Sequence, residues 1–276
     1  MARRPARRLT AADRRAKDQS RAGAIKLAVG AVVVIGVAAL WFTVSKSQKS
    51  LDGETLCPSK PESITVLLVD VTDPMNVPQR QDFQNQLAEL RNSIPRYGQL
   101  IVAKVDATSQ NLIRPVIVRC NPGTAQDVDE ATGNPRAVQK LYDEQFVAPL
   151  DQAFVGLAQA SGSKESPIFE SVQSLALTHL LTPNAKTTRR KIVLASDLLQ
   201  NTDAVSFYGG LPNPDQFLNS NAFRHVRTNL TDVQVELWML ERGDAAMTQP
   251  RALIDLWDAV IAKQGGTVTR AYSVSG

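Results

Sequence analysis

ITVLLVD, residues 64–70, decides the architecture: six apolar or β-branched residues in a row, ending on a carboxylate. No alternation of polar and apolar positions interrupts the run. A strand built from it therefore has core on both faces, the situation of a parallel strand between two helical layers. A Pro-containing loop follows, and then a helix expected from about Pro78 to Ile94, with Phe83, Leu87, Leu90 and Ile94 on one side. LIVAKVD (100–106) reads as a second strand and RPVIVRC (114–120) as a third. The short loop between them cannot hold a crossover helix, so this pair is expected to be antiparallel.

Further out the same alternation continues. Past the turn-rich CNPGTAQDVDEATGNP (120–135), a helical pattern runs to about Ala160, with a kink expected at Pro149. Residues 167–181 form another helix, turning Ile168, Val172, Leu175, Ala176, His179 and Leu180 to the core. KIVLASD (191–197) and VQVELWML (233–240) are a fourth and a fifth strand. A last helix, 250–263, buries Leu253, Leu256, Trp257, Val260 and Ile261, and TVTRAYSV (267–274) closes as a sixth strand. Strands alternating with helices mean an α/β sandwich around a mostly parallel sheet. Arg189-Arg190-Lys191 reads as a solvated loop before the fourth strand, and His179, Trp238 and Trp257 as core residues. The stretch from Leu198 to Arg227 is longer than connections usually are without a function, which makes it a candidate docking surface.

Before the folded part the chain is organised by charge. Residues 1–26 hold nine Lys or Arg against Asp13 and Asp18, while the remainder carries 22 basic and 25 acidic side chains, a net −3. Leu27 to Val44 contains no charge, and at ~1.5 Å per residue it spans ~27 Å, close to a bilayer's hydrocarbon core. Trp41 sits near its outer end, and only Lys46 and Lys49 follow closely. The positive-inside rule then places the N-terminus in the cytoplasm and the folded domain outside it. A cleaved signal peptide is the competing reading. Against it, the apolar run exceeds the usual ~7–15 residues and Thr43-Val44-Ser45 is a poor cleavage site. The expected organisation is a basic tail at 1–26, a transmembrane helix at 27–44, a stalk at 45–63 and one domain at 64–276. The Ala- and Arg-rich tail suggests a bacterium, with the chain in its inner (cell) membrane. Topology explains the basic tail, so no nucleic-acid partner is expected, and no small-molecule substrate either.

In folds of this class, function sits beyond the carboxyl ends of the strands. Those ends carry Asp70-Val71-Thr72-Asp73-Pro74, then Asp106, then Asp197, while Ser166-Pro167 opens the helix before strand four. Carboxylates and hydroxyls converging on one edge are hard oxygen ligands suited to Mg²⁺. Over residues 64–273 the chain resembles the von Willebrand factor A (vWA) domain, which has this order of strands and helices and an antiparallel third strand. The resemblance implies a three-layer α/β/α fold and a metal-ion-dependent adhesion site. Such a site has an Asp-x-Ser-x-Ser loop after strand one, a Thr often followed by Pro in a later loop, and an Asp ending strand four. The matching positions are Asp70 and Thr72, Ser166 before Pro167, and Asp197. Pro74 stands where the second Ser would ligate and has no side-chain donor, and Asp197-Leu198 replaces the usual Asp-Gly. Metal binding, by Mg²⁺ if any, is therefore expected to be weak or absent.

Cys57 and Cys120 are the only cysteines, both in the exported part. If strand three is antiparallel, both lie at the bottom edge of the sheet with strand two between them. A lead-in bent across strand two brings the two within reach, so a Cys57–Cys120 disulfide is expected, with two buried thiols as the alternative. The sequence has no Gly-x-Ser-x-Gly elbow, Walker loop, Gly-x-Gly-x-x-Gly or Asp-x-Asp after strand one, so an enzyme is not expected. The resemblance implies protein partners docking at the Asp70/Ser166/Asp197 edge. The alternatives are a structural subunit of a membrane complex with a vestigial site, and an exported metal-dependent hydrolase, which would lose turnover in Asp70→Asn.

Overall fold

The computed structural model describes residues 26–39, 50–70, 75–105, 112–129, 133–157, 163–241 and 251–274. The chain divides into two compact units, Met1–Ser50 and Leu51–Gly276. In the first, residues 26–39 are helical with exposed side chains. Among the described residues no helix is long and apolar enough to cross a membrane. Positions 40–44 of the expected span, and the tail at 1–25, lie outside the described residues.

The second unit is built on the apolar run at 64–70. Strand β1 (Ser63–Val69) is buried along its whole length. Ile64, Val66 and Leu68 enter one hydrophobic core and Leu67 and Val69 the other, so the strand has core on both faces as its sequence requires. Each such side chain fully buried stabilises the fold by ~1.5–3 kcal/mol before conformational entropy is counted. The remaining strands are β2 (Gln99–Lys104), β3 (Ile117–Cys120), β4 (Arg189–Ser196), β5 (Val233–Leu240) and β6 (Thr267–Val274). Their order in the sheet is β3-β2-β1-β4-β5-β6. All neighbours are parallel except β2 and β3, which are antiparallel with Gln99 opposite Cys120. This is the expected three-layer sandwich with an antiparallel third strand. That strand starts at Ile117, not Arg114, because Pro115 has no N–H to give to a ladder.

Helix α1 (Val77–Ser93) begins where Asn76 accepts the Gln79 N–H at 2.8 Å, with Pro78 in the first turn. It buries Phe83, Leu87 and Leu90 against one face of the sheet. A second helical run, α2, passes from Pro135–Tyr142 through a π-helical Asp143–Val147 into Ala148–Leu157. The expected disturbance by Pro149 takes the form of that wide turn just ahead of it, since the proline cannot donate to the preceding turn. On the opposite face lie α3 (Ile168–Leu175, continued by a π turn Ala176–Leu180) and a later helix, Arg251–Lys263. That last helix buries the five residues its spacing predicts.

Two expectations are corrected. The segment 198–227 is not an open loop. It contains two short helices, α4 (Pro214–Leu218) and α5 (Asn221–Val226), which makes the C-terminal helix α6. It also buries Leu198, Leu199, Val205, Phe207, Phe217 and Phe223. Phe169 anchors these aromatics, with ring centroids 5.8 Å from Phe207, 5.7 Å from Phe217 and 4.5 Å from Trp257. Nor are Arg189-Arg190-Lys191 a solvated loop, because they are the first residues of β4. Arg190 is buried and donates to the carbonyls of Leu180 and Thr231 at 3.1 and 2.8 Å, and Lys191 pairs with Glu236 at 2.6 Å. An arginine tolerates burial when its guanidinium protons find carbonyls, which a charge count cannot foresee.

At the amino-terminal edge of the sheet, Cys57 and Cys120 form a disulfide with Cα atoms 4.8 Å apart. The lead-in does bend across the start of β2. Its Thr55 carbonyl accepts the Cys120 N–H at 2.8 Å, and the Gln99 amide lies 3.5 Å from the Cys57 sulfur. Asp52 fastens the turn by accepting from the Thr55 N–H and hydroxyl and from the Glu54 N–H, which lowers its pKa. Residues from Leu51 onward thus belong to the folded unit.

Candidate functional site

The carboxyl edge collects what the strand ends promised. Asp70 follows β1 directly, and its N–H donates to the Ala195 carbonyl in β4 at 2.8 Å. Ser166 precedes α3 and is held by an antiparallel bridge to Asn201, the two residues exchanging N–H···O bonds of 2.8 and 3.0 Å. That bridge aims the Ser166 hydroxyl at Asp70, where Oγ donates to Oδ2 at 2.5 Å across 96 residues of chain. Asp197 follows β4, and its Oδ1 accepts the Leu199 N–H at 2.9 Å. The structure therefore brings Asp70, Ser166 and Asp197 to one place. Thr72, with Asp73 and Pro74 of the same loop, lies outside the described residues, as does Asp106.

Ser196 joins them and was not singled out from the sequence. It is fully buried at the end of β4, its Oγ 3.2 Å from Asp70 Oδ2 and 3.4 Å from Asp197 Oδ1. Its single proton is shared between those two acceptors, and the oxygen accepts the Leu198 N–H at 2.8 Å. A signal was there to read: Ser196 keeps the phase of Ile192 and Leu194, so a hydroxyl stands at a core position of the strand. Gln200 is a second omission. Also fully buried, it accepts the Phe169 N–H at 2.9 Å and donates to Glu170 at 2.9 Å, which ties the start of α3 to the segment after β4.

Leu198 occupies the position of the usual glycine and pays for it with φ at 63°, the left-handed region that costs a branched residue ~1–3 kcal/mol. Two contacts offset this strain. The side chain is wholly buried in the core, and the carbonyl accepts the Trp257 indole N–H at 2.9 Å.

Among the described residues no group of three or more His, Cys, Asp or Glu is placed to hold a metal ion. Oxygen is the right donor type for Mg²⁺, yet that ion keeps several of its waters and needs open space beside its protein ligands. Asp70, Ser166 and Asp197 are 3, 2 and 6 % exposed, and their oxygens already exchange hydrogen bonds with one another's elements. Of the four expected ligands, Thr72 lies outside the described residues, and the other three are bonded to one another's elements. What the cluster does chemically is join three segments: the ends of β1 and β4 and the loop before α3.

His179, expected in the core, is only half-buried, and burial lowers its pKa. It lies on the π turn after α3, away from the cluster.

No family model matches the chain, and no curated protein matches it. Among solved structures it is similar to the VWA domain of SpRpn10, at 10% identity over 76% of this chain and 87% of that one, with a TM-score of 0.36. It is similar also to an aerotolerance-related membrane protein from Bacteroides fragilis, at 8% identity over 78% of this chain and 92% of that one, TM-score 0.36. A third is BatB, a conserved hypothetical protein from Bacteroides thetaiotaomicron, at 9% identity over 76% of this chain and 91% of that one, TM-score 0.38. At those values none of them decides anything about this chain, whose fold rests on its own strand order and directions.

Proposed function

We propose that the chain is a membrane-anchored, extracytoplasmic vWA-like module for protein–protein interaction, with partners docking at the carboxyl edge of the sheet. The observation that carries this reading is the Ser166–Asp70 hydrogen bond of 2.5 Å, which draws together loops far apart in sequence at the edge where such folds bind. The buried Asp70/Ser166/Ser196/Asp197 cluster shapes the loops that a partner meets, with no resident ion required. Export is supported by the disulfide, a bond that persists in oxidising compartments, and by the basic tail ahead of an apolar run. A second reading, a structural subunit whose site is vestigial, is favoured by the closure of the cluster upon itself.

The test is calorimetric titration of the detergent-solubilised full chain with Mg²⁺ and Mn²⁺, alongside co-purification of its membrane partners with and without EDTA. The expected result is no saturable metal binding and the same partners in EDTA, lost in Asp70→Ala. Saturable binding abolished by Asp70→Ala would instead restore a working adhesion-type site. Partners retained by Asp70→Ala would favour the structural subunit.

A further inference from the structure

At the opposite end of the sheet lies a groove that the carboxyl-edge reading does not use. Thr228 and Asn229 lead into β5, and Lys263 and Gln264 into β6. Because these strands run parallel to β1, their entrances lie at the end opposite Asp70. Between them, the π turn after α3 and α5 is a cavity of about 750 Å³, within the range of sites that hold a ligand or a short peptide segment. The packed insertion between β4 and β5 builds one wall of it.

Its floor is apolar and its rim is cationic. Leu181, Leu218 and Phe223 line the interior, and Leu177 at the mouth is 53 % exposed, a large aliphatic side chain left in water. Arg224, Arg227 and Lys263 stand around the opening, and among the described residues no carboxylate lines it. Arg224 hydrogen-bonds Asn221, while neither Arg227 nor Lys263 forms an ion pair with a described residue. Three clustered cations are at odds with the net −3 that the chain carries beyond its basic tail.

The backbone bearing these groups is fixed. The Gln173 amide donates to the carbonyls of His225 and Arg227, both at 2.9 Å. From the other side, Gln264 accepts the Thr228 N–H through its side chain at 2.6 Å and the Leu230 N–H through its carbonyl at 2.8 Å. A groove held this way loses little entropy when occupied.

We infer that this groove is a second docking site, taking an acidic segment of a partner protein that places an apolar side chain on the Leu181/Phe223 floor and carboxylates against Arg227 and Lys263. Charge complementarity selects the occupant, since a neutral apolar segment would leave the three cations unanswered and a basic one would be repelled.

The full chain in detergent is titrated with a fluorescein-labelled helical peptide bearing Leu on one face and Glu on the other. Its Gln counterpart and its Lys counterpart are the controls. The Glu peptide is expected to bind saturably and to weaken with added salt, the Gln peptide to bind about tenfold less well. The double variant Arg227→Glu/Lys263→Glu should reverse the order, losing the Glu peptide and gaining the Lys peptide. That gain shows the variant to be folded. Leu177→Ser should weaken the Glu peptide about threefold. Equal binding of the Glu and Gln peptides, no binding at all, or no reversal in the double variant would each overturn the proposal. So would displacement of the peptide by phosphatidylglycerol mixed into the detergent micelles and not by phosphatidylcholine, which would assign the groove to a lipid headgroup. Asp70→Ala should leave the peptide affinity unchanged, so failure here and failure at the carboxyl edge are separately visible.

Discussion

The two ends of the sheet treat polar groups in opposite ways. At the carboxyl edge, two carboxylates and two hydroxyls are buried and spend their hydrogen bonds on each other and on nearby backbone. At the amino edge, a disulfide and side-chain clamps fix the backbone, and cations are left facing an open groove. A satisfied buried cluster rigidifies and specifies, because breaking it strands a polar atom away from water. An exposed charge on a rigid frame costs little to keep and remains available to a partner. The polar cluster most conspicuous in the sequence is thus the one whose hydrogen bonds the fold uses internally.

The contrast can be broken by substitution, and the largest effect is expected at the carboxyl edge. Trp257→Ala leaves a cavity and strands the Leu198 carbonyl, for a loss of about 5 kcal/mol in urea unfolding followed by circular dichroism. At the amino edge, Cys57→Ser with Cys120→Ser frees a loop closed across 63 residues and should cost about 4 kcal/mol, matched in the native chain by adding reductant. Asp70→Ala removes the acceptor of two buried hydroxyls and should cost about 2–3 kcal/mol, with Ser166→Ala nearer 1.5. A cost near zero for Asp70→Ala would show the cluster to be loosely held, and the contrast between the ends would fail.

Leu198→Gly sharpens the comparison further. Glycine relieves the left-handed backbone but gives up a buried side chain, so a net loss of about 1 kcal/mol is expected where relief alone would give a gain. The smallest effect is that of pH through His179. Its folded pKa lies below the ordinary value near 6.5, so its stabilising contribution is complete above that value and is lost as pH falls through the folded pKa. Replacing it with Gln should flatten the pH dependence of the unfolding midpoint in that window.

Much of this was legible from spacing. The uninterrupted run of β1 required core on both faces, α6 buried the five residues its period selects, and the short loop before β3 forced an antiparallel pair. The edge positions Asp70 and Asp197 followed from where the strands end, and Ser166 from its place ahead of the helix that precedes β4, where the resemblance put a hydroxyl. Ser196 carried a signal in its strand phase, a hydroxyl in register with Ile192 and Leu194, that was passed over, whereas for Gln200 only burial in the folded chain shows the need for partners. Arg190 was misread because its charge outweighed its phase in the strand: the same side chain that reads as solvated is buried once Leu180 and Thr231 supply carbonyls.

By itself, then, the sequence determined the layers, the strand directions and which residues stand at each edge, because period, chain reach and loop length act locally along the chain. Which side chains pair across an edge, and which are sealed in or left facing solvent, was decided only in the tertiary structure. Those pairings join residues tens of positions apart, and a hydrogen bond such as that from Ser166 to Asp70 exists only when packing brings both ends within reach and excludes the water that would otherwise compete.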